Sequence, residues 1–252
     1  MALAKAVVGQ LVKRPAPLNG LLNGLVKQPI PPLESGDRLT RAEFERRYHV
    51  MPPHIRAELI EGVVHMSSPV RHEYHGQPHN RANAIFGLYV MQTPGIDCSD
   101  NATVRLDLDN EPQPDVVLFI EPACGGQMTL SKDGYLEGSP ELVLEVAAST
   151  VSIDLHSKLQ AYRRNGVLEY IVWRTGDNAL DWFQWVNEQY VRVLPNDEGV
   201  INSQVFPGLW LNVAALLQRD YAAALTTMQQ GLKSKEHAAF VRELKRRAQA
   251  RR

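Results

Sequence analysis

The sequence predicts a mixed α/β domain: a mixed β-sheet flanked by helices, with an additional C-terminal β-hairpin. Three observations carry this prediction. Short runs rich in Val, Leu and Ile at 115–120, 141–146 and 168–173 are bounded by Pro or Gly and read as buried strands. Two longer stretches, 71–92 and 154–164, repeat apolar and small residues at helical spacing. Strands and helices follow one another without regular alternation, which favours a mixed over an all-parallel sheet.

Residues 1–36 are rich in Pro and Gly and carry the near-duplicates Leu18-Asn19-Gly20-Leu21 and Leu22-Asn23-Gly24-Leu25. They read as a flexible extension whose leucines are available to a partner. The main domain, 37–218, opens near Gly36-Asp37. Thr40, with Glu43 three residues on, forms a capping box that starts a short helix ending about Tyr48. Arg56–Ile60 and Val63–Ser67 flank Glu61-Gly62, the pattern of a tight hairpin. A long helix is expected from Arg71 to Gln92, with Gly76 and Pro78 disturbing its first turns.

Strands are expected near Thr103–Leu108, Asp115–Ile120 and Glu141–Val146, with the Gly-rich Pro122–Ser139 as a surface loop. Asp154–Arg164 reads as a helix closed by Asn165-Gly166, and Leu168–Trp173 as a strand. Ala179–Leu194 alternates as a hairpin turning at Asn187–Gln189. Leu211–Tyr221 and His237–Arg247 read as helices, the second within a basic helical tail, 219–252.

A chain of 252 residues can bury one sizeable core with room for tails. No apolar run approaches the roughly 18 residues of a membrane span. Lys5 interrupts the apolar start and Lys13-Arg14 follow it, unlike a signal peptide. Cys98 and Cys124 form neither a metal spacing nor a disulfide framework, so a reducing cytoplasm is the expected setting. The net charge of −1 is unevenly spread: +3 over residues 1–36, +6 over 232–252, and so −10 between them. The basic end can recruit a polyanion by counterion release, or it is a solvated helix end. The acidic middle argues against tight nonspecific DNA binding, although a metal-binding site must itself be acidic.

Asp115 opens one apolar run and Glu145 lies inside another. A carboxylate in a buried strand is costly to desolvate unless positive charge meets it, so two such strands point to a divalent metal held between them. A magnesium-like ion prefers carboxylate and carbonyl oxygens, and the Val146 carbonyl is a third candidate ligand. Strand alternation puts Glu145 and Ala147 on one face, where the simplest Glu-x-Lys nuclease pattern would have a lysine. The nearest replacement is Lys158, one turn beyond Asp154. It either returns to the carboxylates or pairs with Asp154 on a solvated helix face. Glu58 is a possible fourth acidic member or the exposed side of an edge strand, and Glu141 is a weaker candidate on the face of Glu145.

The stretch Arg56-Ala57-Glu58-Leu59-Ile60-Glu61-Gly62-Val63-Val64 resembles the opening signature of the Uma-type (Uma-two) restriction endonuclease family, within the PD-(D/E)XK nuclease superfamily. Pro114-Asp115 and Leu142-Val143-Leu144-Glu145-Val146 resemble its second and third signatures. Asp154, Lys158, Tyr162, Gly166, Val167, Glu169, Tyr170 and Trp173 match its helix–strand pattern, and Val205-Phe206-Pro207-Gly208-Leu209-Trp210-Leu211 its closing one. The resemblance covers about 37–218 and implies a restriction-endonuclease-like core. It also implies a site with Glu58, Asp115 and Glu145 as acidic members and Lys158 as a migrated lysine. Ala147-Ala148-Ser149-Thr150 replaces the family's Ser-Pro after the third signature, which alters the loop into the helix and not a ligand.

Other clusters have plainer readings. His72, His75 and His79 would span about 10 Å on one straight helix, too far for all three to chelate one ion, and read as a polar helix face near the site. His72 or His75 touching a substrate phosphate is a lesser reading, and His156 is expected in solvent. Trp173, Trp182, Phe183, Trp185, Tyr190 and Trp210 read as core or dimer contacts ahead of base stacking. There is no G-x-S-x-G, no phosphate loop and no G-x-G-x-x-G after a strand, so acyl-transfer and nucleotide-switch chemistry have no support.

The expectation is a DNA endonuclease using Mg2+, with Mn2+ able to serve, on Asp115, Glu145 and Val146. It would act as a homodimer without membrane association. The alternative is a catalytically inactive nuclease fold that binds DNA or a protein partner.

Overall fold

The computed structural model describes residues 29–251. It divides into Met1–Pro31 and Pro32–Arg252, and the fold below is that of the second unit. The repeated Leu-Asn-Gly-Leu segments, and with them most of the extension read at 1–36, lie outside the described residues.

Helix α1, Arg41–Tyr48, begins where Thr40 accepts the Glu43 N–H on its hydroxyl at 3.4 Å. The Glu43 carboxylate binds Arg46 and Arg47 instead of closing a capping box. Strands β1, Ala57–Ile60, and β2, Val63–Met66, pair as the expected hairpin. Both turn residues, Glu61 and Gly62, have positive φ, as a type I′ turn requires. A π-helical turn, His72–Gly76, then leads into α2, Gln77–Met91. In that turn the Gly76 N–H reaches the Arg71 carbonyl at 3.1 Å, and Pro78, with no N–H to donate, sits in the first turn of α2.

The central sheet adds β3, Ile96–Asp100, and β5, Val116–Ile120, separated in sequence by the short β4, Val104–Arg105. A 3-10 turn, Pro122–Cys124, precedes the two-residue strands β6, Thr129–Leu130, and β7, Leu136–Glu137; β7 pairs with both β4 and β6 in a small separate sheet. Strand β8, Leu142–Ala147, is followed by a π-helical turn, Ile153–Lys158, helix α3, Leu159–Arg164, and β9, Glu169–Arg174. Gly166, at positive φ, lets the chain leave α3 beside Asn165. Hairpin β10, Ala179–Val186, and β11, Gln189–Val193, turns on Asn187 and Glu188, both left-handed. The sheet order is β11-β10-β9-β8-β5-β3, and only β8 and β9 run parallel. The expected C-terminal hairpin therefore extends the main sheet.

A second pair, β12, Val200–Asn202, and β13, Trp210–Asn212, precedes α4, Val213–Leu217, α5, Tyr221–Leu232, and α6, Lys235–Ala250. One sheet face buries Val116, Leu118, Leu144, Val146, Ile171 and Trp182 against α2 and the C-terminal helices, which contribute Ala224, Met228 and Leu244. The other buries Val117, Phe119, Val143, Tyr170 and Val172 beneath Tyr162 and the small sheet. A third, smaller core holds Leu33, Phe44, Ala57, Leu59 and Val64 around the β1–β2 hairpin. Among the described residues no helix is long and apolar enough to cross a membrane.

Besides the capping box, three sequence expectations change. The strand expected over 103–108 shrinks to Val104–Arg105 because it leaves the main sheet, whose edge is the unexpected β3. The Pro122–Ser139 loop carries β6 and β7 and buries Cys124, Met128 and Leu136. The single helix expected over 211–221 starts as β13 and breaks after α4. Arg219 there takes positive φ and the Asp220 carboxylate caps the new helix α5.

Candidate active site

Asp115, Val117 and Phe119 alternate onto the same sheet face as Val143, Glu145 and Ala147. Asp115 and Glu145 each lie one residue beyond the Val116–Leu144 pair of the adjacent antiparallel strands β5 and β8. The helical segment after β8 covers this face and brings Lys158 to it. The Lys158 ammonium lies 2.9 Å from Glu145 Oε1, 2.9 Å from Glu58 Oε1 and 3.9 Å from Asp154 Oδ1. Lys158 and Asp154 are both buried, so the solvated-pair reading does not hold. Glu58, from β1, also accepts the Gln113 N–H at 2.6 Å, which ties the hairpin to the segment entering β5.

Supporting groups fix these side chains. The Tyr162 hydroxyl donates to Glu145 Oε1 at 2.9 Å, and the Thr150 hydroxyl to Asp154 Oδ2 at 2.6 Å. Asp115 Oδ2 accepts the Val146 N–H at 2.6 Å, while its Oδ1 lies 3.1 Å from His75 Nε2. His79 Nε2 stands 2.8 Å from the Asp115 carbonyl and 2.9 Å from Asp100 Oδ1. His65 faces Glu58 across the hairpin.

Four carboxylates and one ammonium share this space, and the electrostatics reflect the excess of negative charge. Burial raises Glu145 well above the ordinary carboxylate range; Lys158 opposes this, while Asp154, Asp115 and Glu58 add to it. Burial likewise lifts Asp154 to about 6, against Lys158 and the Thr150 hydrogen bond. Burial alone would lower the Lys158 ammonium, but Glu145, Glu58 and Asp154 together hold it well above the usual lysine value. For Asp115 burial pushes upward, yet the hydrogen bond and charge of His75, the Val146 N–H and His79 outweigh it and leave the carboxyl below its ordinary range. His75 is raised, first by its hydrogen bond to Asp115.

The structure therefore brings Glu58, Asp115, Glu145 and Lys158 together and leaves other candidates out. Glu141 is buried, but its carboxylate accepts the N–H groups of Ile120 and Gln127 away from the cluster. His72 and His156 are exposed. Trp182 and Phe183 face opposite cores, and Phe183 and Tyr190 pack with Tyr170, as a core reading of the aromatics requires. The sequence reading of a polar helix face near the site holds for His75 and His79, but it did not pair them with Asp115. The signal was their i,i+4 spacing, which puts two side chains on one helix face without the exposed His72.

Architecture and site chemistry together define a nuclease-type α/β fold. Among solved structures it is similar to "a putative nuclease belonging to DUF820 from Anabaena variabilis ATCC 29413", with a TM-score of 0.55 and 13% identity over 71% of this chain and 98% of that one. The pattern of the family described as "Uma2: Putative restriction endonuclease" matches residues 41–214, and the chain belongs to this family. No curated protein matches the sequence.

Proposed function

We propose that this protein is a metal-dependent endonuclease that hydrolyses DNA phosphodiester bonds. The observation that carries the reading is the convergence on one buried point of Lys158 with Glu145 and Glu58, each 2.9 Å from its ammonium, beside Asp115 on the neighbouring strand. The donor set fits a divalent cation: oxygen ligands predominate, and burial holds Glu145 and Asp154 toward protonation, a surplus of negative charge that a cation would offset. Asp115, Glu145 and the Val146 carbonyl would hold magnesium, with manganese able to replace it. When bound, the ion supplies charge neutralisation at phosphorus and at the leaving oxygen, and it acidifies water.

The chain's own residues supply the rest. Lys158 orients the attacking water and stabilises charge developing on the phosphate. Glu58 holds the Lys158 ammonium together with Glu145 and supports the water or the ion. Tyr162 fixes the rotamer of Glu145 through its hydroxyl. Hydrolysis proceeds in a single step with water as nucleophile and without a covalent enzyme intermediate. One such site cuts one strand, so duplex cleavage calls for two copies, and we propose a homodimer acting in the cytoplasm.

The test is nicking of plasmid DNA by purified protein with magnesium or manganese. Wild type should cut and Asp115→Ala should not. Equal residual nicking by both would mean contamination and would sink the proposal. Magnesium binding without cleavage would return the chain to a binding role. Sedimentation of the full chain as a monomer at assay concentration would count against the dimer.

A further inference from the structure

We infer that His75, His79 and Asp115, with Asp100 beside them, form a site for one first-row transition-metal ion. This rests on donor geometry and is independent of the reaction proposed above. One ring nitrogen of His75, one of His79 and a carboxylate oxygen of Asp115 all lie within 4.8 Å of one another. A tetrahedral ion with bonds of about 2.1 Å sets its donors about 3.4 Å apart, so imidazole rotation alone can close the cluster. The closest approaches already sit near that spacing: His75 Nε2 to Asp115 Oδ1 is 3.1 Å, and His79 Nε2 to the same oxygen is 4.0 Å. Asp100 Oδ1, 2.9 Å from His79 Nε2, offers a fourth donor, the second oxygen, from the sheet edge.

Two features of the chain shape the pair. The π-helical turn at His72–Gly76 carries His75, while His79 stands in the first regular turn of α2, and the two rings meet edge to face with centroids 5.4 Å apart. π turns inside helices gather at functional sites. Both rings are largely buried against β3 and β5, with 20% and 12% of their side-chain surface exposed, so the donors are held in place while one side stays open to an incoming ion. Two imidazole nitrogens select against magnesium, which takes oxygen donors, and in favour of cobalt, nickel or zinc. Asp115 would then be shared between this site and the carboxylate pair it makes with Glu145.

The experiment uses the full-length chain, stripped of metal and titrated with Co2+. Equilibrium dialysis reads the stoichiometry and visible absorption reads imidazole coordination. The expected result is tight uptake with a d–d spectrum in wild type. His75→Ala and His79→Ala should each weaken uptake at least about 100-fold and lose that spectrum. His72→Ala should keep both, Glu145→Gln should keep the imidazole-dependent spectrum, and circular dichroism should show each variant folded; His79→Gln replaces His79→Ala if the alanine variant unfolds. No Co2+ uptake by wild type, or unchanged uptake by the histidine variants, overturns the inference. So does a loss in Glu145→Gln as large as in His79→Ala, which would assign the ion to the carboxylates. Co2+ uptake without any nicking would count against the nuclease reading alone, and magnesium-supported nicking without the histidine-dependent spectrum would count against this site alone.

Discussion

Replacing Lys158 by methionine keeps an unbranched stem and removes one charge from the buried cluster. With Glu145 and Glu58 each 2.9 Å from the ammonium, each pair has an attraction of about 6 kcal/mol at an effective dielectric of about 20. Most of that offsets the several kcal/mol per ion needed to take these groups out of water. Lys158→Met leaves the carboxylates desolvated and without their partner, a change on the order of 3–5 kcal/mol. The sign with pH follows from the carboxylates. Glu145 is already raised and Asp154 stands at about 6, and both rise further once the ammonium is gone. A carboxylate raised in the folded state contributes stability that is present at low pH and lost as pH rises through its folded value. The variant should therefore lose about 3–5 kcal/mol at pH 8 and clearly less at pH 5. Urea unfolding at both pH values, for wild type, Lys158→Met, Glu145→Gln and the double variant, measures the cost and the coupling. A coupling energy of about 2 kcal/mol at pH 8 is expected. An additive cycle, or the same cost at both pH values, would refute the reasoning.

Other residues give further tests. Burial lifts the Glu169 carboxyl from 4.5 to about 7, against hydrogen bonds from the Ser203 hydroxyl and the Gln204 and Val205 N–H groups. Its stabilising contribution is complete below about pH 4.5 and is lost as pH rises through about 7, about 3 kcal/mol in all. Glu169→Gln should flatten stability between pH 5 and 8, and stability curves parallel to wild type would contradict this. A Cβ at Gly126 would lie 1.7 Å from the Ile120 carbonyl oxygen, so backbone must move. Gly126→Ala should cost about 3 kcal/mol or more and lower the Tm by at least about 6 °C; an unshifted melt would show that the loop yields. Phe44 is fully buried in the small core, and Phe44→Ala should cost about 3–5 kcal/mol in urea titration.

Much of the site was legible because strand alternation is a strong constraint. Once 116–120 and 142–147 are strands, Asp115 and Glu145 must share parity with Val117 and Val143, and a common face follows if the strands are neighbours. Lys158 was harder, since helical spacing gives a face but not the direction in which that face docks; its family pattern supplied the choice. His75 and His79 escaped because all three histidines were set on one straight helix. The π turn alters the angular spacing, and the oxygens that join the pair come from Asp115, just before β5 and 36 residues beyond His79. Strand β3 carries exposed Asp97 and Asp100 around Ile96 and Cys98, too little apolar pattern for an edge strand to stand out. The break before α5 falls on Arg219, a left-handed residue that is not glycine and so leaves no mark in the sequence. The turn at Asn187-Glu188 was found because asparagine tolerates that conformation.

Glu58 reaches the cluster from a hairpin outside the main sheet, with its own small core of Leu33, Phe44, Ala57, Leu59 and Val64. Alignment of the proposed site is therefore delegated to a distant packing problem. Loosening at Phe44 would leave Lys158, Glu145 and Asp115 seated on the main sheet while carrying Glu58 out of register. Such a variant would stay folded around its large cores and lose the nicking proposed above, the behaviour of a tool whose jaw has slipped on its hinge while the handle remains sound.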